Sequence, residues 1–362
     1  MSTLNTIFSD LVIVEIATVL AGPAVGMFFA ELGATVIKIE NPDTGGDVTR
    51  SWKLGEEPSD KKYSAYYNCV NWHKDIRFLN AKVQEQYDEI AALIKDADVV
   101  ISNFKTSSAA SLHLDKETIK KINPNIIHAT VTAYGECNDS PGYDALLQAE
   151  TGWMSINGHA DGPPTKMPVA LIDILTAHQL KEGILVAMLK KAKTGKGSHV
   201  TVSLYDTAIA SLANQASNYL NLNSVPARKG SQHPNIAPYG DIISSKDGIK
   251  ILLAIGTDKQ FAAACDILGE PVLAEDKRFL TNIERLANRT ELIGILSSLI
   301  KTMNADDFLE GCRLKHVPAG RVRTIDQVFS DEAALKLILE QKEDDGNLSK
   351  RVRTMVAQVR DI

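Results

Sequence analysis

Leu11-Val12-Ile13-Val14-Glu15-Ile16, then Leu20-Ala21-Gly22-Pro23, then Ala24 to Leu32 with Gly33, then Thr35-Val36-Ile37-Lys38-Ile39-Glu40: this run decides the fold. Its two ends are dense in Val and Ile and read as strands. Leu20 to Pro23 reads as a turn. Ala24 to Leu32 reads as a short apolar helix closed by Gly33, a residue that takes the left-handed cap without strain. A strand–turn–helix–strand unit of this length is a βαβ crossover, and it implies a parallel sheet. No G-x-G-x-x-G follows the first strand, so the dinucleotide fingerprint is absent. Without those glycines Glu40, at the end of the second strand, is a structural acid rather than a ribose ligand.

The alternation continues. Asn41 to Asp60 is a long polar loop with Gly45, Gly46, Gly55 and Pro58, a length that marks function or mobility. Val83 to Lys95 predicts an amphipathic helix, and Asp98-Val99-Val100-Ile101-Ser102 a strand ending in Asn103-Phe104. Thr118 to Ile122 predicts a helix, Asn123-Pro124-Asn125 a turn, and Ile126 to Thr132 a strand. Further on, Val169 to Ile172 predicts a short buried strand entered through Pro168 and ended by Asp173. The helical spacing of Ile174 to Lys191 follows, stopped by Gly195 and Gly197. His199 to Leu204 alternates as a strand, and Asp206 opens another helix. Asp173 thus lies between a strand and a helix N terminus, where open α/β folds place reacting groups. The same position suits an N-cap aspartate. On either reading the helix dipole favours the ionised carboxylate.

Beyond Asn218 the texture changes. Arg228 to Pro234 and Pro238-Tyr239-Gly240 are rich in turn residues. Asp247-Gly248 separates Tyr239–Ser244 from Ile249–Ile255, which reads as a hairpin. Helices are expected at Asp258–Leu268, Leu286–Leu299 and Ala305–Arg313. The fold class is therefore α/β: a Rossmann-like parallel-sheet domain over 1–224, to which 331–362 returns, and a smaller α+β domain over 225–330. Lys350 to Ile362 is basic and strand-like.

The 362 residues are 44% hydrophobic and 23% charged, with a net charge of −6. This balance offers no electrostatic case for nucleic acid or an anionic membrane. Cys69, Cys137, Cys265 and Cys312 are scattered, without zinc spacing, and fit free thiols in a reducing compartment. No metal is expected. The apolar run Val19 to Ala30 is too short to span a bilayer, and Met1 to Ser9 lacks a basic leader, so the expected location is cytoplasmic. Gly195-Lys196-Gly197-Ser198 is no P-loop, and neither G-x-S-x-G nor H-E-x-x-H occurs. His178, one turn beyond Asp173, is a base or a histidine satisfied by backbone. Tyr143, after the turn Ser140-Pro141-Gly142, either donates to a substrate carbonyl or packs at a helix start.

Several stretches, in order over nearly the whole chain, resemble the family III CoA-transferases (the CaiB/BaiF group, with formyl-CoA transferase and the carnitine CoA-transferases). They include Leu20 to Pro23, Leu32 to Glu40, Gly46-Asp47 with Arg50, Asn71 to Lys74 and Asp98 to Phe104. Ile122-Asn123-Pro124, Gly142-Tyr143-Asp144, Gly152, Pro168 to Asp173, Thr194 to Gly197, His233-Pro234 with Pro238-Tyr239, and Val317 to Gly320 also match. The resemblance implies a nucleophile at Asp173, which would move coenzyme A from an acyl-CoA to a carboxylic acid through aspartyl anhydride and thioester intermediates. It implies coenzyme A contacts at Leu20, Ala21, Leu79, Asn80, Asn103 and Phe104, with Tyr143 beside the acyl group. It also implies an interlocked homodimer.

The departures are specific. Asn41 stands where many members have a phosphate-binding Arg, so Lys74 or Lys105 is expected to serve. Gly230 is the only glycine in the segment 230–239, which argues against oxalate and formate as substrates. The usual terminal Gly-Glu-His-Thr is not found. In the related α-methylacyl-CoA racemases a histidine acts at the position of Tyr143. Tyrosine, with a pKa near roughly 10, is a poor base at neutral pH, which disfavours racemisation. A third reading is a non-catalytic CoA-binding protein in which Asp173 only caps a helix.

Overall fold

The computed structural model describes residues 6–343 and 346–359. Met1 to Asn5 and the last three residues of the basic C-terminal run lie outside the described residues. The chain divides into two compact units. One comprises Met1–Trp153, Lys166–Ser224 and Ala333–Ile362; the other comprises Met154–Thr165 and Val225–Glu332. The short segment 154–165, expected inside the first domain, clusters with the second.

The first unit is a mixed α/β structure built on six parallel strands. These are β1 (Val12–Ile16), β2 (Thr35–Glu40), β3 (Asp75–Phe78), β4 (Val99–Ser102), β5 (Ile127–Thr132) and β6 (Ser198–Ser203). Their order is β3-β2-β1-β4-β5-β6, every neighbour parallel. The chain order reverses between β1 and β4, and open sheets of this kind bind ligands at the carboxyl ends flanking that point. β1 is apolar on both sides apart from the buried, paired Glu15, because both faces are covered. Ile13 and Ile101 pack with Val25 and Phe29 of α1 (Ala21–Glu31). Val14 and Val100 pack with Ile90 and Ile94 of α2 (Gln84–Asp96) and with Ile119 of α3 (Lys116–Ile122). After α4 (Asp144–Glu150), the long α5 (Leu171–Thr194) buries Ile172, Leu180 and Ile184 in the core of α1. No helix among the described residues is long and apolar enough to cross a membrane.

Among the differences from the sequence reading, three lie in the first unit's sheet and its crossovers. Ala21 to Pro23 form the first turn of α1 rather than a preceding turn. Proline is tolerated there because the first-turn N–H groups have no intrahelical acceptor. β3 is an additional edge strand. The strand expected at Val169–Ile172 does not form: Val169 is 54% exposed, and α5 begins at Leu171.

The second unit holds the expected hairpin, β7 (Tyr239–Ser244) with β8 (Lys250–Ala254), extended by β9 (Ala319–Arg321). Three helices, α6 (Asp258–Ile267), α7 (Arg289–Ile300) and α8 (Ala305–Leu314), close its core around Phe261, Leu292 and Phe308. The C-terminal hairpin, β10 (Ile338–Lys342) with β11 (Leu348–Val352), belongs to the first unit. Just beyond it, Thr354 N donates to Glu31 on α1 at 2.7 Å.

Beneath the sheet's carboxyl edge lies a buried charge network. The Lys38 ammonium on β2, fully buried, reaches Glu15 Oε1 at 2.9 Å, Asp47 Oδ2 at 3.1 Å and the Ala17 carbonyl at 2.6 Å. Burial works against its charge, but Glu15, Asp47 and Glu40 outweigh that cost and hold its pKa above the usual lysine value. Lys74 occupies the other Glu15 oxygen at 2.7 Å and the Pro23 carbonyl at 2.8 Å. Gly26 is required here: a Cβ would lie 1.9 Å from Glu15 Oε2. Removing one member of a buried ionic cluster leaves the others uncompensated. Lys38→Met is therefore expected to lower the unfolding free energy by about 3–5 kcal/mol in urea titration.

Candidate active site

Helix α5 begins without a cap of its own. Its N-cap residue, Ala170, has no side-chain acceptor. The acceptor comes from α4: Asp144 Oδ2 takes the N–H of Ile172 at 2.7 Å and that of Asp173 at 3.4 Å. Asp144 Oδ1 accepts from Gln148 Nε2 at 2.5 Å, and Gln148 Oε1 accepts from Met167 N at 2.8 Å. Residues 167–172 are thus pinned to α4, and an external carboxylate satisfies the helix end. This is why the apolar run turns helical instead of extending as a strand.

The consequence for Asp173 is decisive. It is the third helical residue, not the N-cap, and its cap function is filled by Asp144. Among the described residues no hydrogen bond or ion pair meets its carboxylate, although the residue is only 8% exposed. Burial, with the charge of Asp144 adding, raises its pKa to about 7. The helix dipole does not hold it low, because Asp144 already occupies the positive end. A desolvated, unpaired carboxylate of raised basicity is a better nucleophile than one in water.

Asp173 faces a cavity of ≈ 500 Å³. Leu20 and Val19 of the β1–α1 loop form one wall, and Trp52 and Tyr66 another, their rings edge-on at 5.1 Å. Tyr143, 58% exposed, and Lys166 complete it. The Tyr66 phenol, pushed up to about 12 chiefly by burial, with Cys69, Asp173 and Asp144 adding, remains an O–H donor at neutral pH. Val19 has φ of 72°, a left-handed conformation costly for a β-branched residue. Its N–H donates to both Asp47 oxygens at 3.3 and 3.2 Å, so the buried charge network holds the strained loop in place. Among the described residues no acceptor meets the N–H groups of Leu20, Ala21 and Gly22 at the start of α1. Such a helix end suits an oxyanion or a phosphate.

The structure brings Leu20, Tyr143 and Asp173 to one cavity, with Ala21 buried directly behind Leu20 in the first turn of α1. Asn103, at the end of β4, clamps the β1 loop: its Oδ1 accepts from Thr18 N at 3.1 Å and its Nδ2 donates to the Thr18 carbonyl at 2.9 Å. Asn103, Phe104 and Lys105 line a separate cavity of ≈ 140 Å³. Leu79 and Asn80 follow β3 and line neither space; Asn80 Nδ2 is bound to Asp43 at 2.6 Å. Lys74, buried on Glu15, cannot reach a phosphate, so of the two proposed cations only Lys105 is exposed. Glu40 is structural, pairing with Arg50 at 2.6 Å and accepting from the Tyr67 hydroxyl at 2.7 Å. His178 is exposed and lines no part of the Asp173 cavity. A further cavity of ≈ 390 Å³ runs past His128 and His199 and contains none of these residues. Among the described residues no cluster of His, Cys, Asp or Glu is placed to hold a metal. Sequence reasoning missed Trp52, Tyr66 and Lys166 as wall residues, and no spacing links them.

The chain thus combines a parallel sheet of Rossmann type with a buried, unpaired helix carboxylate that faces a largely apolar cleft, a setting suited to a nucleophile. The model of CoA-transferase family III matches residues 8–361. A succinate–glutarate CoA-transferase of Agrobacterium fabrum is 37% identical over 356 residues, covering 96% of this chain and 88% of that protein. An acetyl-CoA:oxalate CoA-transferase of Acetobacter aceti is 33% identical, covering 86% of this chain and 80% of that protein. The crystal structure of a CaiB/BaiF family protein from Brucella suis, 36% identical, superposes with a TM-score of 0.83 over 98% of this chain and 93% of that one. The chain belongs to the family III CoA-transferases, and it is an enzyme of that class.

The raised carboxyl makes a stability prediction. The folded protein binds this proton more tightly than the unfolded chain. Its contribution is present in full below the unfolded value of 3.8 and is lost as pH rises through about 7. Asp173→Asn is therefore expected to raise stability by on the order of 2 kcal/mol at pH 8, and by less at pH 5, in paired thermal melts.

Proposed function

We propose that this enzyme transfers coenzyme A from an acyl-CoA to a carboxylic acid through covalent intermediates on Asp173. The observation that carries the reading is the buried Asp173 carboxylate, unpaired and open to the cleft. An Asp173 oxygen attacks the thioester carbonyl; the C–S bond breaks, the thiolate leaves, and a mixed anhydride forms. Attack of the thiolate on the Asp173 carbonyl releases the donor acid, which departs with an oxygen from Asp173, and leaves an aspartyl thioester. The acceptor carboxylate attacks that carbonyl, and return of the thiolate to the new acyl carbon frees Asp173. Charge and protons balance at each stage. The N–H groups at the start of α1 and the Tyr66 hydroxyl are the donors available to the oxyanions. The apolar walls keep water from the anhydride.

The first unit is taken to carry the coenzyme A contacts at Leu20, Ala21, Leu79, Asn80, Asn103 and Phe104, with Lys105 for the phosphates. The named relatives act on succinate, glutarate and oxalate, so dicarboxylic acids are the acceptor class to try first. An interlocked homodimer in the cytoplasm belongs to the same reading, and light scattering tests its stoichiometry. A racemase would exchange the α-proton of its substrate with solvent and need no acceptor. A pure binding protein would form no adduct.

The test is intact mass after mixing the protein with short acyl-CoAs and no acceptor. A hydroxylamine-sensitive adduct that is absent in Asp173→Ala is expected. Its rate should fall about tenfold per pH unit below about 7, as Asp173 takes a proton. Asp144→Asn, which removes the neighbouring charge, should move this limb to lower pH. Coenzyme A binding without any adduct would refute the reading.

A further inference from the structure

We propose that Lys166 selects dicarboxylic substrates, its ammonium holding the carboxylate that does not react. The inference rests on the assignment of Asp173 as nucleophile and deepens it.

The cleft poses an electrostatic problem. Two buried carboxylates, Asp173 and Asp144, line it, and the acids it is proposed to accept are anions. A second carboxylate on the substrate would enter a space walled by Val19, Leu20 and Trp52, where an unpaired charge is strongly unfavourable. Among the described residues Lys166 is the one cationic side chain lining that space. No carboxylate there is paired with it: its Nζ donates to the carbonyls of Met167 at 2.8 Å and Pro168 at 3.5 Å. An ammonium has three donors, so one N–H remains for a ligand.

Its position is also fixed relative to the nucleophile. The residue after it, Met167, is tied through Gln148 to Asp144, and the same Asp144 caps the helix that carries Asp173. Lys166 and Asp173 thus stand at the two ends of one strap, held by one carboxylate. A substrate with a carboxylate at each end can engage both. A monocarboxylic acid of equal length has only an apolar tail to offer the lysine.

The experiment compares glutaryl-CoA with valeryl-CoA, which have the same chain length and differ in the distal carboxylate. In wild type, adduct formation on Asp173 should be about 10- to 100-fold more efficient with glutaryl-CoA. Lys166→Met should bring the glutaryl-CoA to valeryl-CoA efficiency ratio down to near one through loss of the glutaryl-CoA rate; Lys166→Arg should keep the ratio high. A second arm uses Asp173→Asn, which forms no adduct. There glutaryl-CoA should protect against heat at lower concentration than valeryl-CoA, and adding Lys166→Met should abolish the difference. An equal loss with both donors, or an unchanged glutaryl-CoA advantage in Lys166→Met, would overturn the proposal. No adduct in wild type, with the Lys166-dependent binding preference intact, would refute the nucleophile and leave the lysine's role standing.

Discussion

The Lys38 ammonium, buried among Glu15, Asp47 and the Ala17 carbonyl, is the contact on which the rest of the site depends. A lysine at this depth keeps its charge only because carboxylates surround it. In return it positions those carboxylates. Asp47, held by Lys38, bonds the N–H of Val19 and so stabilises a backbone conformation that valine otherwise avoids. The loop so held leads into the first turn of α1, whose N–H groups have no acceptor among the described residues and whose N-cap residue Leu20 lines the same cavity as Asp173. The charge network, the strained loop and the open helix end form one chain of cause, running from the sheet interior to the cleft.

At the other wall, two acidic residues carry opposite roles because their surroundings differ. Asp144 accepts from two backbone N–H groups and from Gln148, which makes it an anchor. Asp173, one helical turn inside, has none of these bonds and bears the full cost of burial. Giving the cap to Asp144 is what leaves Asp173 available for chemistry. The stability lost at a basic, desolvated carboxylate is a common feature of reactive sites.

Much of this was legible in the sequence, and the limits have physical causes. The βαβ unit could be read because β1 and β2 are buried on both faces and carry long Val and Ile runs. β3 could not: it is an edge strand of Asp75, Ile76, Arg77 and Phe78, largely exposed, with no apolar run to announce it. Val169 to Ile172 misled because four apolar residues fit a strand or a helix start equally well. The deciding partner, Asp144, is remote in sequence. The same holds for the site. Asp173 stood out by its place after an apolar run and through family resemblance. Trp52 and Tyr66, a turn end and a short helix in the connection between β2 and β3, and Lys166, in the segment before α5, share no spacing, and only the fold brings them together. Lys74 was misjudged because a lysine's burial on an acid of a different strand leaves no mark in local spacing.

The most direct test of the central claim follows oxygen atoms. If Asp173 forms the anhydride, an acceptor acid labelled with oxygen-18 must leave one labelled oxygen on Asp173 in each turnover. After many turnovers in unlabelled water, the peptide containing Asp173 should have gained up to two heavy oxygens, and no other peptide should have gained any. Coenzyme A transfer with no label on that peptide would contradict the account, because coenzyme A would then have passed to the acceptor acid without an anhydride at this carboxylate.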